Sequence, residues 1–486
     1  MVRVPIDFGF YQSPSLPFAA QECRDLIPIV SQGEGSSAKG MLASLPGVTL
    51  FATTPNNGQD QSFWGRHEFA NELYAVDRAT LFKISSTGVV TTIGAINTGT
   101  TTERAIIDDN GETMAIVIPG VAAYFYDPTN GLVQITDTIF QDFEAESGGV
   151  TSVVEVDGYF LWSTDVSIFQ SSSVVVNKGQ TFDALAFLQP FLKEDLIRVG
   201  KARGQLMAMG CDTIKVLRNV ATEPFAFVEV PGATIEKGLA FRGGWISFDN
   251  SFFFWGGGIN EKNAAWRGVG SGSVQKISTD AIDAIWRDAT YASNSATSYS
   301  WDGQLIIGFY NPPTALFYNI TASALKGQAV WFSTNSGSLT TPKKVYNKII
   351  DFAGSGKIGY FDPSTNSEYE SYTRTCIFTG RYLSGQGDHL FVDEIELKAE
   401  TGVAQEVWDA PADTNPQVLL EYSKDEGRTW ISKGERSMGK IGKFETKIRW
   451  NRLGRFNDRA IFRFTTTTDN RQAFTEMKVT LEDAFE

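Results

Sequence analysis

Apolar residues along this chain fall in short unbroken runs set between turn-forming residues, with helical stripes almost absent. Seven runs, Leu73–Val76, Met114–Ile118, Tyr159–Trp162, Leu206–Met209, Phe252–Trp255, Leu305–Ile307 and Ile349–Phe352, recur at roughly 42 to 52 residues, the period of propeller blades. Most are followed by a second strand, as at Leu81–Ile84, Ala123–Tyr126, Thr213–Leu217, Ala315–Tyr318 and Lys357–Phe361. Two then close with hairpins, Ser85–Gly88 before Val89-Val90 and Asp127–Gly131 before Leu132-Val133. A four-stranded blade buries both faces against its neighbours, so its strands read as continuous apolar runs rather than alternating ones. About seven blades fit between residues 47 and 375, and Val48–Ala52, entered through the turn Leu45-Pro46-Gly47, is placed to close the ring by joining the last blade.

One stretch carries helical spacing. In Asp280–Arg287, Asp280 reads as the N-cap, Asp283 suits the first turn, and Ile282, Ile285 and Trp286 share a face. Residues 1–46, with scattered aromatics among Pro, Ser and Gly, read as an N-terminal arm lying on another surface. From 376 to 486 the pattern becomes alternating: Phe391–Leu397, Val418–Tyr422, Phe444–Trp450, Ala460–Thr466 and Glu476–Leu481 predict a β-sandwich. The expected class is all-β, a propeller of about seven blades followed by a C-terminal sandwich.

Charge changes this picture in one place. The chain carries 42 basic and 56 acidic residues, a net charge of -14, which excludes a general nucleic-acid binder because phosphate neutralisation needs a basic face. Yet between Arg428 and Arg463 there are 11 Lys/Arg against 3 Asp/Glu. Within Arg449–Phe464, Trp450, Leu453 and Phe456 sit three apart around Gly454, as in a tight corner, and Ile461, Phe462 and Phe464 follow as a half-buried strand. Arg449, Arg452, Arg455, Arg459 and Arg463 are therefore candidates for an interaction surface. The competing reading is a solvated strand face whose arginines pair with acids of the same domain.

Candidate chemistry is sparse. Cys23, Cys211 and Cys376 are too scattered for a disulfide framework or a Cys-x-x-Cys metal site, and no apolar run approaches a membrane span or a secretory signal. His67 and His389, the only histidines, supply neither a Ser/His/Asp set nor a His-x-x-x-His pair, so no catalytic, metal or cofactor site is expected. Asp108-Asp109 and Asp393-Glu394 are acid pairs of the kind a glycosidase uses, but among 56 acids such pairs arise by chance and read as solvated turns. Gly268–Gly272 resembles a phosphate loop without the following strand–loop–helix and lysine, and reads as a wide hairpin. Ser423, Asp425, Gly427, Thr429 and Trp430 fit the Asp-box pattern of sialidase propellers, in which the carboxylate satisfies backbone N–H groups of a turn.

Several stretches in shared order resemble the packaged-DNA stabilisation, or tail hub, proteins of short-tailed bacteriophages. These are Leu42–Gly47, Phe182–Ala186 with Asp195–Ile197, Gly210–Ile214, Gly232–Gly238, Val274–Thr279 leading into Ile282 and Ile285, Thr401–Gln405, and Trp450-x-Arg452-x-Gly454-Arg455. Residues 1–30 and Tyr291–Tyr299 carry no such motif. The resemblance implies a structural virion protein, not an enzyme, assembled in the host cytoplasm into a homo-oligomeric ring, a hexamer, below the portal and its adaptor. Such a ring closes the head after packaging, retains double-stranded DNA, carries tailspikes or tail fibres and a tail needle or plug, and forms part of the ejection channel. An acidic propeller suits a channel that DNA slides through without sticking. The alternative is a propeller glycosidase or sialidase-like hydrolase, which needs an arginine cluster and a Tyr/Glu pair at the propeller centre and several Asp boxes; here the arginines are expected in the C-terminal domain. A passive carbohydrate-binding propeller would need exposed Trp on successive blades, whereas Trp162 and Trp255 fall inside apolar strands.

Overall fold

The computed structural model describes residues 2–482 apart from 7–8, 14, 17–18, 32, 34–37, 56–62, 102, 192, 271, 287–294, 312–313, 335–341, 353–355, 370–371, 385–388, 404–414 and 458. Six four-stranded antiparallel blades follow one another, at residues 63–95, 106–134, 152–188, 196–229, 245–276 and 295–334. The seventh is built from Lys343–Val345, Lys348–Phe352 and Lys357–Asp362, and its fourth strand is Gly47–Thr53 from the start of the chain. Tyr360 lies opposite Thr49 and Asp362 opposite Gly47, so the ring is closed by antiparallel pairing of chain segments about 300 residues apart, as the turn at Leu45–Gly47 predicts. All seven apolar runs are the second strands of their blades. Met114–Ile118 shows why they are continuous: all five side chains are fully buried, because neighbouring blades cover both faces.

Each seam between blades has its own core. Tyr74 and Tyr126 meet between the first and second blades, Trp162 lies among Phe125, Phe140 and Phe169 between the second and third, and Trp255 packs on Phe309 between the fifth and sixth. The seam between the sixth and seventh blades differs. Tyr299, Phe317, Phe332 and Phe361 there belong to one continuous cluster with the sandwich residues Phe378, Trp450, Phe464 and Phe474. Propeller and sandwich therefore share a core.

The sandwich has two sheets. One orders Ile448–Phe456, Leu390–Ala399, Ala473–Glu482, Gly40–Ser44 and Leu26–Val30, with Val2–Pro5 also on Ala473–Glu482. The other orders Ile431–Ser437, Gln417–Ser423, Arg459–Thr466, Cys376–Thr379 and Cys23–Arg24, then continues through Ser333 into the outer strand of the sixth blade. Strands from residues 2–44 thus sit in both sheets, with Cys23–Arg24 as the bridge to the propeller.

Several local expectations need correction. Thr279, not Asp280, caps the helix Asp280–Ile285, accepting from the Ile282 amide; Ile285 is exposed rather than on the packed face, and Arg287 lies outside the described residues. Trp286, just past the helix end, packs edge-on against Trp255. Among the described residues two more α-helices occur, Thr138–Glu144 and Ile320–Lys326, each about two turns long and so too short to show a period in sequence. The first drives Phe140 and Phe143 into the seam between the second and third blades, where Phe143 stacks on Phe169 at 4.1 Å. The strand expected from Phe444 begins only at Ile448, since Gly439 and Gly442 turn the chain through positive φ and leave Phe444 exposed. Among the described residues, no helix is long and apolar enough to cross a membrane.

Candidate interaction surface

The strand Ile448–Phe456 runs straight through the stretch expected to form a corner. Opposite it on Leu390–Ala399, Ile395 pairs with Trp450, Glu394 with Asn451, and Val392 with Gly454, so Arg452 and Leu453 together face the single residue Asp393. This is a β-bulge, with Arg452 at φ +57° and Gly454 at φ +90°. The extra residue resets the alternation, so Trp450, Leu453 and Phe456 all point into the core, which accounts for their three-residue spacing. The edge strand of the other sheet is tied across to it. Trp450 Nε1 donates to the Gly434 carbonyl at 2.8 Å, while Arg436 and Lys433 donate to the carbonyls of Arg449 and Arg452.

The five arginines divide. Arg449 binds the buried Glu396 at 2.5 Å and lies 3.7 Å from Glu394. Burial opposes ionisation of Glu396, but hydrogen bonds from Lys398 and Arg449 hold its carboxyl below the usual range. Arg463 donates to Glu421 at 2.8 Å and lies 4.2 Å over the Trp430 ring. Arg459 sits 3.9 Å from Glu426. These three follow the solvated-face reading. Arg455 is exposed beside His389, and exposed Arg452 makes no side-chain hydrogen bond or ion pair among the described residues.

The Asp-box residues form a turn between two strands of the sandwich. Asp425 accepts from the Thr429 amide at 2.8 Å, the Thr429 hydroxyl at 2.6 Å and the Ser423 hydroxyl at 2.7 Å, and Ser423 Oγ accepts from the amide of Gly427, whose φ is +94°. Those bonds, Thr429's first, pull the Asp425 carboxyl down to about 2. The turn therefore keeps its charged anchor at neutral pH and loses it only as pH falls toward 2. Asp425→Ala is expected to speed hydrogen exchange of the Thr429 amide by about tenfold or more, the consequence of deleting a charge-assisted bond, with blade amides unchanged.

The acid pairs are not solvated turns. Asp108 and Asp109 belong to Ile106–Asp109, the innermost strand of the second blade, where Asp108 accepts from the Glu155 amide and Asp109 is 2.6 Å from His67 Nε2. Burial raises Asp108's pKa; burial is also the largest effect on Asp109, but the hydrogen bond and charge of His67, the Gly111 amide and Lys343 together outweigh it and lower the pKa of Asp109. Glu194, Cys211 and Asp212 form a second acidic cluster, whose thiol hydrogen-bonds to Glu194.

Sequence reasoning missed a cation cluster at the propeller axis. A cavity of about 710 Å³ is lined by Arg66, Arg104, Arg198, Arg242 and Lys343, with His67 and Glu103. The arginines are thus not confined to the C-terminal domain. A signal was present: each of these five residues precedes one of the apolar runs by six to ten positions, which places it on or just before an innermost strand.

Residues 2–366 match a family model described as Bacteriophage P22 Gp10, beta-propeller, and residues 375–482 one described as Bacteriophage P22 Gp10, beta-sandwich. The first match includes residues 2–30 and 291–299, which carried no recognisable motif. No curated protein sequence matches. Among solved structures the chain is similar to the Neurospora crassa Pan2 WD40 domain, at 9% identity and a TM-score of 0.41 over 65% of this chain and 95% of that one. It is also similar to PorZ, an essential bacterial surface component of the type-IX secretion system of Porphyromonas gingivalis, at 7% identity and a TM-score of 0.38, covering 73% of this chain and 45% of that one.

Proposed function

Because this chain belongs to the bacteriophage P22 Gp10 family of packaged-DNA stabilisation proteins, matched through both propeller and sandwich, we propose that it is the tail-hub subunit that closes the head and retains the DNA. In this reading six copies form a ring under the portal adaptor, carry tailspikes or fibres and a needle, and surround the ejection channel. The observation that carries assembly is the charge distribution. Arg452 and Arg455 stand exposed on a basic sandwich edge of a chain whose net charge is -14, and in this reading they meet an acidic surface on another subunit's propeller or on the adaptor. In this reading the propeller's own axis, a cation-lined cavity of about 710 Å³, is a pocket rather than the DNA conduit, and the channel would run between subunits.

Arg452→Glu with Arg455→Glu is expected to leave the monomer folded, since neither side chain is buried, and to weaken ring or adaptor association most at low salt. Light scattering and electron microscopy of wild type and variant, alone and mixed with adaptor at two salt concentrations, provide the check. Identical assembly in all conditions would remove these arginines from the interface; a wild-type protein that stays monomeric even with adaptor would remove the hub reading.

The hydrolase alternative gains one feature from the axial arginines and lacks the others. Among the described residues no tyrosine lines the axial cavity to form the Tyr/Glu pair, and a single Asp box occurs in the sequence, in the sandwich.

A further inference from the structure

The axial cavity is an unusual place for positive charge in an acidic protein. Its walls come from the innermost strands of the first, second, fourth, fifth, sixth and seventh blades, and its lining holds five cations against the single carboxylate of Glu103. Two of the five have partners. Arg242 pairs with Glu103 and donates to the Ile197 carbonyl at 3.0 Å, and Arg198 donates to the Arg242 carbonyl at 3.0 Å.

The other three do not. Among the described residues, neither Arg104 nor Lys343 makes a side-chain hydrogen bond or ion pair, and Arg66 has only the face of the Phe352 ring at 5.0 Å. Each is wetted by the cavity yet surrounded by protein, and they feel one another. Burial and then Arg104 lower Arg66 to about 9; burial lowers Arg104, with Asp351 opposing; burial and then Arg66 lower Lys343. The same cations weigh against metal binding at the adjacent group His67, Asp108 and Asp109, although its atoms lie close enough for it.

We propose that the propeller axis is a binding site for a small, multiply charged oxyanion of the phosphate class, held by Arg66, Arg104 and Lys343 on one side and Arg198 on the other. The cavity volume lies in the range of small-ligand sites. Guanidinium forks and an ammonium are the groups that recognise phosphate oxygens, and the hydroxyls of Ser295, Thr297 and Ser298 also line the cavity and provide neutral donors. The site does not depend on the hub assignment, because residues of one subunit alone line the cavity.

The test uses inorganic tripolyphosphate as probe, with sodium chloride at equal ionic strength as control, on the full-length chain. Calorimetric titration is expected to show one site per chain, and the probe to raise the melting temperature where chloride does not. Arg104→Gln and Lys343→Met, tested separately, are each expected to weaken the probe by about tenfold or more, as loss of one charge-assisted contact does. Without probe each variant is expected to melt within a few degrees of the wild type, because neither removed cation makes a hydrogen bond or ion pair: Arg66 repels Lys343 while Glu68, Asp108 and Asp109 attract it, and Arg104 repels Arg66 while Asp351 attracts Arg104. That second readout separates a ligand site from a structural role, which would make the variants less stable. An absence of binding to the wild type, an equal shift from chloride, or unaltered affinity in the variants would overturn the proposal.

Discussion

Arg374→Ala is expected to lower the stability of the whole chain by about 3–5 kcal/mol, the cost of leaving a buried charge without its partner. Arg374 is fully buried; its Nε donates to Glu368 at 2.6 Å and its Nη1 to the carbonyl of Pro46. Glu368 pairs with Val48 from the strand Ser367–Glu368 on the outer side of the ring-closing strand, and Pro46 leads into that strand, so one guanidinium fastens both flanks of the segment that completes the ring. Arg374 also lies between the two family matches, just before the sandwich strand Cys376–Thr379. Removing it takes the guanidinium charge away from the Glu368 carboxylate, 6% exposed, and frees the Pro46 carbonyl at the point where the two halves share a core. Urea unfolding of the variant should therefore shift to a lower midpoint for propeller and sandwich together. Arg374→Met with Glu368→Gln removes both charges and should recover a large part of the loss. A double variant no better than the single one, or a loss confined to the sandwich, would show that the pair does not clamp the ring.

The propeller was legible because its blades are unusually repetitive: each needs one strand buried on both faces, and such strands appear as runs like Met114–Ile118 or Phe252–Trp255 whatever surrounds them. Ring closure by Val48–Ala52 was legible too, since an isolated strand after a turn needs a partner, and the last blade lacked a fourth strand. What could not be read depends on neighbours far away in sequence. The bulge at Arg452–Leu453 exists because Asp393 stands opposite, and without that partner its three-residue spacing imitates a corner. The cations Arg66, Arg104, Arg198, Arg242 and Lys343 are spread over nearly 280 residues and meet only because every innermost strand faces the same axis. The interaction arginines show the opposite failure. Their clustering in sequence suggested one surface, but strand alternation and nearby acids turned Arg449 and Arg463 to Glu396 and Glu421, leaving Arg452 and Arg455 outward.

Asp25→Asn is expected to stabilise the protein at pH 8 and to make almost no difference at pH 4. Asp25 occupies the left-handed region at φ +57° between the bridge strand Cys23–Arg24 and Leu26–Val30, and all three structural units meet on it. Its amide donates to Ser333 of the sixth blade, its carbonyl accepts from the Leu45 amide and the Cys376 thiol, and its carboxylate accepts from the Thr334 hydroxyl. Burial pushes its pKa from the ordinary 3.8 up to about 6, against the pull of Thr334 and Arg374. Between these values the folded state binds the proton and the unfolded state does not, so stability falls as pH rises from about 4 to 6 and then levels. That gap corresponds to a cost on the order of 3 kcal/mol at pH 8, which the amide of asparagine avoids while keeping an acceptor for Thr334. Arg374 lowers the Asp25 pKa, so in the Arg374→Ala background the carboxyl is higher still and the gain from Asp25→Asn at pH 8 is larger. Urea midpoints of the two single variants and the double variant at pH 4, 6 and 8 measure this coupling; a difference between Asp25→Asn and wild type that does not change with pH would mean that the carboxyl keeps its solvent-like pKa, and that the junction of arm, ring and sandwich is not closed to water.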